Sequence, residues 1–478
     1  MRRRSIIGGF AAFFLLLTGA FLLKEVTGPS ESQALPLYAY RSGRTCDNCH
    51  TDPTGWKNPK LSKRKCNLSC MGCHVNPTGG GLRTAPGRFY GQATMPIMYS
   101  SHRPFKDWTR HVIKALNYPK NRKNRLWDPA WATPFGGSAE MAFDQERYAG
   151  LNADPLAQIG FDGRMAIWFP GENPSALVFP MQLDFNLALH PYRYITAFAS
   201  GGVLSKSKGY EATFDPDRHT PFFMAKDVFL MAHQLPFMSY VRVGRFLPPF
   251  GVMYDDHTTP VRRDFEMDHG LSHSRVVGGE IGFAPNYPYF HLAAFRPNRS
   301  DRFVGSNSTI SPDAFPPFFG VKGWGLAASM GWRDMGYQVG VSGMVRQRKL
   351  DDGGDTESIA VSLGFNPWYY IDWLPLTYLG EVAFGRRQRS LSGKHTWQIA
   401  QMHELNYLAF NGVNFRFRYE FSDYDTEILD DHFHRFGLGA DLVLFPFMAL
   451  QTTARIQKNA GPKGGVSLDG LLVLRTWY

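Results

Sequence analysis

From about residue 156 to its end, the chain alternates. Val413, Phe415, Phe417, Tyr419 and Phe421 share one phase of a two-residue period, and Asn414, Arg416, Arg418 and Glu420 share the other. A strand turns successive side chains to opposite faces, so this pattern describes a sheet that is apolar on one side and polar on the other. Tyr337, Val339, Val341 and Val345 stand against Gln338, Ser342, Arg346 and Arg348 in the same way. Ala157, Ile159, Phe161, Met165, Ile167 and Phe169 oppose Gln158, Asp162 and Arg164. Near the end, Leu438, Ala440, Leu442 and Leu444 oppose Gly437, Gly439 and Asp441, and Leu468, Leu472, Leu474 and Tyr478 oppose Asp469 and Arg475. Segments of about ten residues with an apolar outer and a polar inner face are the pattern of a membrane-spanning β-barrel.

The connections between these segments give an independent indication. Short links fall near His190-Pro191, Leu235-Pro236, Pro285-Asn286, Arg333-Asp334, Asn411-Gly412 and Phe445-Pro446. Long ones fall near 204–221, 247–274, 297–321, 348–355, 388–395, 422–432 and 458–466, alternating with the short ones; 365–375 is the one bulky short link. Transmembrane barrels have short turns at one rim and long loops at the other. The segments predict 16 strands, at roughly 156–169, 175–189, 191–203, 222–234, 237–246, 275–283, 287–296, 322–332, 336–347, 356–364, 376–387, 396–407, 411–421, 433–444, 447–457 and 467–478. Residues 139–148 are a further candidate strand, so the expected count is 16 to within two. A soluble β-sandwich or propeller is the alternative that alternation alone allows. The loop rhythm and the Trp residues at strand ends (168, 324, 332, 368, 373, 397) favour the barrel. A hydrophobic content of 44% excludes a disordered chain, and no apolar run after residue 23 is long enough for a polytopic helical membrane protein.

The N-terminus reads as a targeting segment. Arg2, Arg3 and Arg4 precede an uncharged apolar run over residues 6–23, and small-residue sites follow at Ser32-Gln33-Ala34 and Leu37-Tyr38-Ala39. This is the layout of a secretory signal over residues 1–39, with an uncleaved anchor as the alternative. The next stretch is strongly basic. Residues 40–126 hold 17 Lys and Arg against Asp47, Asp52 and Asp107, a balance of +14. The first 39 residues add +2, so 127–478 carry −5 of the net +11. Export makes nucleic acid an unlikely target for this charge, and none is expected as a partner.

All five cysteines lie in the basic stretch. Cys46-Asp47-Asn48-Cys49-His50 and Cys70-Met71-Gly72-Cys73-His74 both read C-x-x-C-H, the attachment signature of haem c. Two thiols add to the porphyrin vinyl groups, and the adjacent histidine becomes the proximal ligand of the iron. The likeness runs on as His50-Thr-Asp-Pro-Thr-Gly55 and His74-Val-Asn-Pro-Thr-Gly79, so one unit occurs twice, each ending in a turn signal. Two haem c groups are therefore expected, attached through Cys46, Cys49, Cys70 and Cys73 with proximal His50 and His74. A disulfide framework, or an iron–sulfur or zinc centre, is the alternative for clustered cysteines, but a disulfide framework leaves the two matching histidines unexplained. Cys66 is left over. Candidates for the distal iron ligands are His102, His111, Met95 and Met98, and histidines further along the chain could also reach a haem.

The expected organisation is thus a dihaem cytochrome c domain with its linker over 40–155 and an outer-membrane barrel over 156–478. A barrel of this size has a lumen too wide for side chains to fill, so the basic domain is expected in or below it. Its charge would meet inward acids such as Asp162, Glu381, Glu420, Asp441 and Asp469, while inward Arg346, Arg416 and Arg455 could hold haem propionates. Cys46-x-x-Cys49-His50 ahead of a barrel pattern resembles the fused cytochrome–porins of iron-oxidising bacteria, from which the second motif at Cys70–His74 departs. The terminal Trp477-Tyr478 is similar to the C-terminal insertion signal of bacterial outer-membrane proteins, and Val241-Arg-Val-Gly-Arg-Phe-Leu-Pro-Pro-Phe-Gly251 is similar to a strand and turn of porins.

The organisation, with that resemblance, implies an electron conduit through the bacterial outer membrane. Its partners would be membrane lipid, a periplasmic electron carrier and an extracellular donor or acceptor such as Fe(II). A transport porin gated or sensed through its haem domain is the second reading, and an outer-membrane haem peroxidase the third. Two acidic, histidine-bearing segments offer carboxylate and imidazole for Fe(II) or Mn(II). One is 422–434, with Asp423, Asp425, Glu427, Asp430, Asp431, His432 and His434; the other is 255–273, whose alternative reading is a constriction loop folded into the lumen.

Overall fold

The computed structural model describes residues 70–84 except Cys73, then Met98, and most of the chain from Leu156 onward. Outside the described residues in that second part lie 172–175, 193, 205–221, 255, 257, 268–273, 285–287, 298–321, 335, 349–354, 368–369, 372–373, 389–394, 411, 446 and 462–463.

Sixteen antiparallel strands close into one barrel. They are β1 (Ala157–Pro170), β2 (Leu177–Tyr192), β3 (Ile195–Leu204), β4 (Phe222–Leu235), β5 (Ser239–Phe246), β6 (Val276–Phe283), β7 (Pro288–Arg296) and β8 (Gly323–Arg333). The second half is β9 (Tyr337–Arg348), β10 (Thr356–Phe365), β11 (Leu376–Gln388), β12 (His395–Phe410), β13 (Val413–Asp423), β14 (Phe433–Phe445), β15 (Met448–Asn459) and β16 (Val466–Trp477). Each strand pairs with its sequence neighbour, and β1 pairs directly with β16 in the register Asp162↔Trp477 to Pro170↔Asp469. The backbone of Tyr478 completes the seam, accepting from Phe161 N–H at 3.2 Å and donating to Phe161 O at 2.9 Å. The further candidate strand at residues 139–148 lies outside the described residues.

The strand boundaries follow the alternation closely. The clearest difference is at the first short link. His190-Pro191 reads as a turn, yet both residues belong to β2, and β3 begins at Ile195. A register shift between Leu189 and Tyr192 takes up the proline, which has no N–H to give the ladder.

The wall is inverted relative to a soluble protein. Ile159, Phe185, Val243, Phe415, Leu438 and Leu468 are 50–70% exposed on the outside. The largest fully buried side chains include Arg242, Arg245, Arg262 and Arg275. Apolar outside and charged inside suits a barrel whose exterior solvent is hydrocarbon. The fold is a transmembrane β-barrel.

Candidate functional site

The segment between β5 and β6 does not stay at the rim. It carries a short helix, α1 (Pro260–Arg263), and folds into the lumen. Gly251 N–H donates to Ser342 Oγ of β9 at 2.8 Å, and Val252 N–H to Glu381 Oε2 of β11 at 3.1 Å. Arg262 forms an ion pair with Glu381, both side chains almost fully buried. Further on, Ser422 Oγ of β13 donates to Asp264 at 2.7 Å, Arg418 binds Asp256 at 2.6 Å, and Arg435 of β14 donates to Thr258 O at 2.6 Å. In a closed ring of sixteen, β13 and β14 stand opposite β5 and β6. The loop therefore crosses the lumen and is fastened to the far wall. Gly251 allows this because its φ is +64° and a Cβ there would collide with the Arg262 and Glu381 side chains.

This crossing corresponds to the constriction-loop reading of 255–273. Two of its described carboxylates are held by wall arginines, Asp256 by Arg418 and Glu266 by Arg346 at 3.1 Å and Arg348 at 2.5 Å, and the third, Asp264, by Arg263 of the loop itself at 2.7 Å. Asp255, His257, Asp268, His269 and His273 lie outside the described residues. In the other acidic segment, Asp425 N–H donates to Asp423 Oδ1 at 3.2 Å, and His434 Nδ1 lies 2.9 Å from Tyr419 Oη. Asp431 has its pKa raised to about 6, by burial first and then by the neighbouring Asp423 and Asp425 carboxylates. Among the described residues no group of three or more His, Cys, Asp or Glu side chains is arranged to hold a metal ion.

The inward acids expected to meet the basic domain meet wall or loop arginines. Asp162 pairs with Arg164 and Arg475, Glu420 with Arg435 at 2.6 Å, Asp441 with Arg416 at 3.1 Å, and Asp469 with Arg455 at 2.7 Å. Arg346, Arg416 and Arg455 are thus engaged with carboxylates of the barrel and its loop.

At the opposite end, the rim of short turns, the mouth holds residues 70–84. This is the end of the second C-x-x-C-H unit and its tail. A 3-10 turn covers Cys70–Gly72, and His74 N–H donates to Cys70 O at 2.8 Å. That bond spans four residues, so Cys70 and His74 rise from one side of a single turn. Asn76 caps the next turn, accepting from Thr78 N–H at 3.3 Å and Thr78 Oγ1 at 2.9 Å. Gly79, Gly80 and Gly81 follow with φ of 93°, 80° and 61°, a left-handed run that side chains resist. The chain doubles back so that Val75 N–H reaches Leu82 O at 3.0 Å and His74 bridges Arg83. The turn anticipated from Asn-Pro-Thr-Gly is present in this second unit; the first unit, 46–55, lies outside the described residues.

The doubled segment is packed into the wall. Met71, Val75 and Leu82 are buried in one apolar cluster with Ala188, Phe198, Phe229 and Tyr240. Arg83 lies over the Trp477 ring at 5.5 Å. On the other side Arg242 Nη1 of β5 donates to Asn76 Oδ1 at 2.8 Å, and Arg333 Nη1 of β8 lies 4.0 Å from Cys70 Sγ.

Behind Asn76 stands a buried polar cluster that no sequence motif marks. Arg242 Nη2 binds Glu280 Oε2 of β6 at 2.7 Å. Tyr240 Oη bonds Glu280 and lies 2.7 Å from His291 Nδ1 of β7. Tyr289 flanks His291 at 5.8 Å between ring centroids, and the Arg333 guanidinium lies 3.9 Å over the Tyr289 ring. The inward phase of the strands marks these residues, since Tyr240 and Arg242 alternate with exposed Val241 and Val243.

Of the sequence-predicted site residues, Cys70, His74 and Met98 are described. Cys70 is a free, half-buried thiol. Met98 lies elsewhere, its N–H bonded to Val443 O of β14 at 2.8 Å. Cys46, Cys49, His50, Cys66, Cys73, Met95, His102 and His111 lie outside the described residues. Cys70 and His74 on one turn, in a mouth with arginines beside them, fit a covalent haem with its anionic edge.

No protein-family profile matches the chain, and no curated protein is similar to it at a significant level. Solved outer-membrane barrels are similar to it. An anion-selective porin from Comamonas acidovorans aligns at 13% identity and TM-score 0.45, covering 67% of this chain and 100% of the porin. OprB of Pseudomonas putida aligns at 8% identity and TM-score 0.46, covering 67% and 94%. The outer membrane channel DcaP of Acinetobacter baumannii aligns at 11% identity and TM-score 0.45, covering 67% and 97%.

Proposed function

We propose that the protein is an outer-membrane barrel that carries two haem c groups and passes electrons across the membrane through them. The observation that carries this reading is the position of the second C-x-x-C-H unit. Its Cys70–His74 turn and Asn76 tail are tied into the lumen mouth by Arg242 and buried by Met71, Val75 and Leu82. A redox group fixed there sits inside an insulating wall whose apolar band is about 25 Å tall, and a second haem from the Cys46–His50 unit would extend the path. The haem supplies reversible one-electron chemistry when attached. The chain's part is to hold Cys70 and His74 on one turn, anchor that turn to the wall and exclude solvent around it. A periplasmic carrier at the short-turn rim and an extracellular donor or acceptor such as Fe(II) at the long-loop rim complete the circuit.

A solute channel is the second reading, favoured by the lumen-crossing loop and the paired charges that face it. Haem content separates the two at the outset. Protein secreted with its attachment machinery should carry two covalent haems per chain by mass and by pyridine haemochrome absorbance. Cys46→Ala with Cys49→Ala, and Cys70→Ala with Cys73→Ala, should each remove one. A haem-free folded barrel would leave the channel reading in possession.

A further inference from the structure

We propose that His291, in the barrel wall, is the second axial ligand of the haem held by Cys70, Cys73 and His74. This rests on the haem reading above and names a residue that the C-x-x-C-H motifs do not.

The argument is one of proton placement. Arg242 and Glu280 form an ion pair with both side chains at 0% exposure, so Glu280 is a carboxylate and only accepts hydrogen bonds. Tyr240 Oη bonds that carboxylate, so its single proton points at Glu280. Its oxygen must then accept from His291 Nδ1, 2.7 Å away, and the N–H of the neutral imidazole lies on Nδ1. The lone pair is left on Nε2. No described residue hydrogen-bonds Nε2, although His291 is only 5% exposed and lies on the inward phase of β7. A buried imidazole whose one nitrogen is fixed by a hydrogen bond, with the other left as an acceptor, is how proteins present histidine to a metal.

The same residues hold the haem turn. Arg242 bonds Glu280 and also Asn76, two residues beyond His74. Arg333 spans from Cys70 Sγ to the Tyr289 ring, which packs on His291. The attachment turn and the His291 relay therefore share one patch of wall, on β5 to β8. Met98 is bound to β14, across the ring from that patch. His403 and His434 bond Tyr378 and Tyr419 on the outward phase of their strands.

The test uses full-length, haem-loaded protein and reads the iron directly. In the Cys46→Ala, Cys49→Ala background only the second haem remains, and its ferric absorption and electron paramagnetic resonance spectra should be low-spin and six-coordinate. His291→Ala should retain the haem covalently and convert it to high-spin, and added imidazole should restore the low-spin spectrum. Tyr240→Phe, which removes the bond to Nδ1, should keep the ligand and shift the reduction potential of this haem. An attached haem whose spectrum is unchanged by His291→Ala overturns the ligand assignment while leaving the haem reading intact. Absence of haem from Cys70 and Cys73 in the parent protein overturns both.

Discussion

The lumen-crossing loop depends on one buried carboxylate. Glu381 is fully buried, binds Arg262, and accepts Val252 N–H at 3.1 Å. Glu381→Leu removes both interactions while keeping most of the volume. Arg262 is then a buried guanidinium that keeps, among the described residues, its bond to Phe250 O at 2.9 Å. Breaking a buried pair by removing one partner costs about 3–5 kcal/mol, which raises the population of the detached loop roughly 10²- to 10⁴-fold. Hydrogen exchange in lipid nanodiscs, followed by mass spectrometry, reads that population through peptides spanning 250–263. Exchange should accelerate most near Val252. It should change less toward Asp264, because Ser422 and Arg418 still hold that side at Asp264 and Asp256. Arg262→Met combined with Glu381→Leu removes the orphaned charge and should recover much of the protection. Unchanged exchange in Glu381→Leu would refute the claim that this pair fastens the loop.

Other outcomes follow from the same structure. Asp431 titrates near pH 6 against an ordinary value of 3.8, so the folded loop binds a proton more tightly than the unfolded chain. Stability from this group is present in full at low pH, declines as pH rises from about 4 to 6, and is flat above that. Limited proteolysis of loop 424–432 should therefore be slower at pH 4.5 than at pH 7.5, and Asp431→Asn should abolish the difference. Deleting Trp477 and Tyr478 removes the Phe161–Tyr478 bonds and the bond from Trp477 N–H to Phe447 O, so the ring should fail to close. Loss of trypsin resistance in isolated membranes checks this; wild-type resistance would contradict it. Asn76→Ala takes from Arg242 its 2.8 Å contact with the 70–84 segment, and proteolysis between residues 70 and 84 should accelerate without loss of the barrel.

The wall was legible because a membrane barrel writes its two solvents into every second residue. Phe415 and Phe417 meet lipid while Arg418 and Glu420 meet charged partners in the lumen, and a two-residue period records that without any long-range information. The β2–β3 turn was misplaced because a bulge absorbs Pro191 within the strand, and no local signal separates a bulged proline from a turn proline. The partners of the inward charges were not legible at all. Pairs such as Arg262–Glu381 and Arg435–Glu420 depend on a loop crossing the ring and on strand register, which composition cannot encode. His291 was hidden for the same reason: nothing near it in sequence resembles a haem motif, and its relay to Glu280 and Arg242 forms only when β5, β6 and β7 pair.

The central claim is electron passage through a closed wall. The direct measurement is reconstitution of the haem-loaded protein into liposomes that enclose a redox dye, with an impermeant reductant added outside. The account predicts that the dye is reduced while a trapped small solute stays inside, and that Cys70→Ala with Cys73→Ala stops the reduction. Free efflux of the solute with no reduction of the dye would contradict it and identify the barrel as a channel.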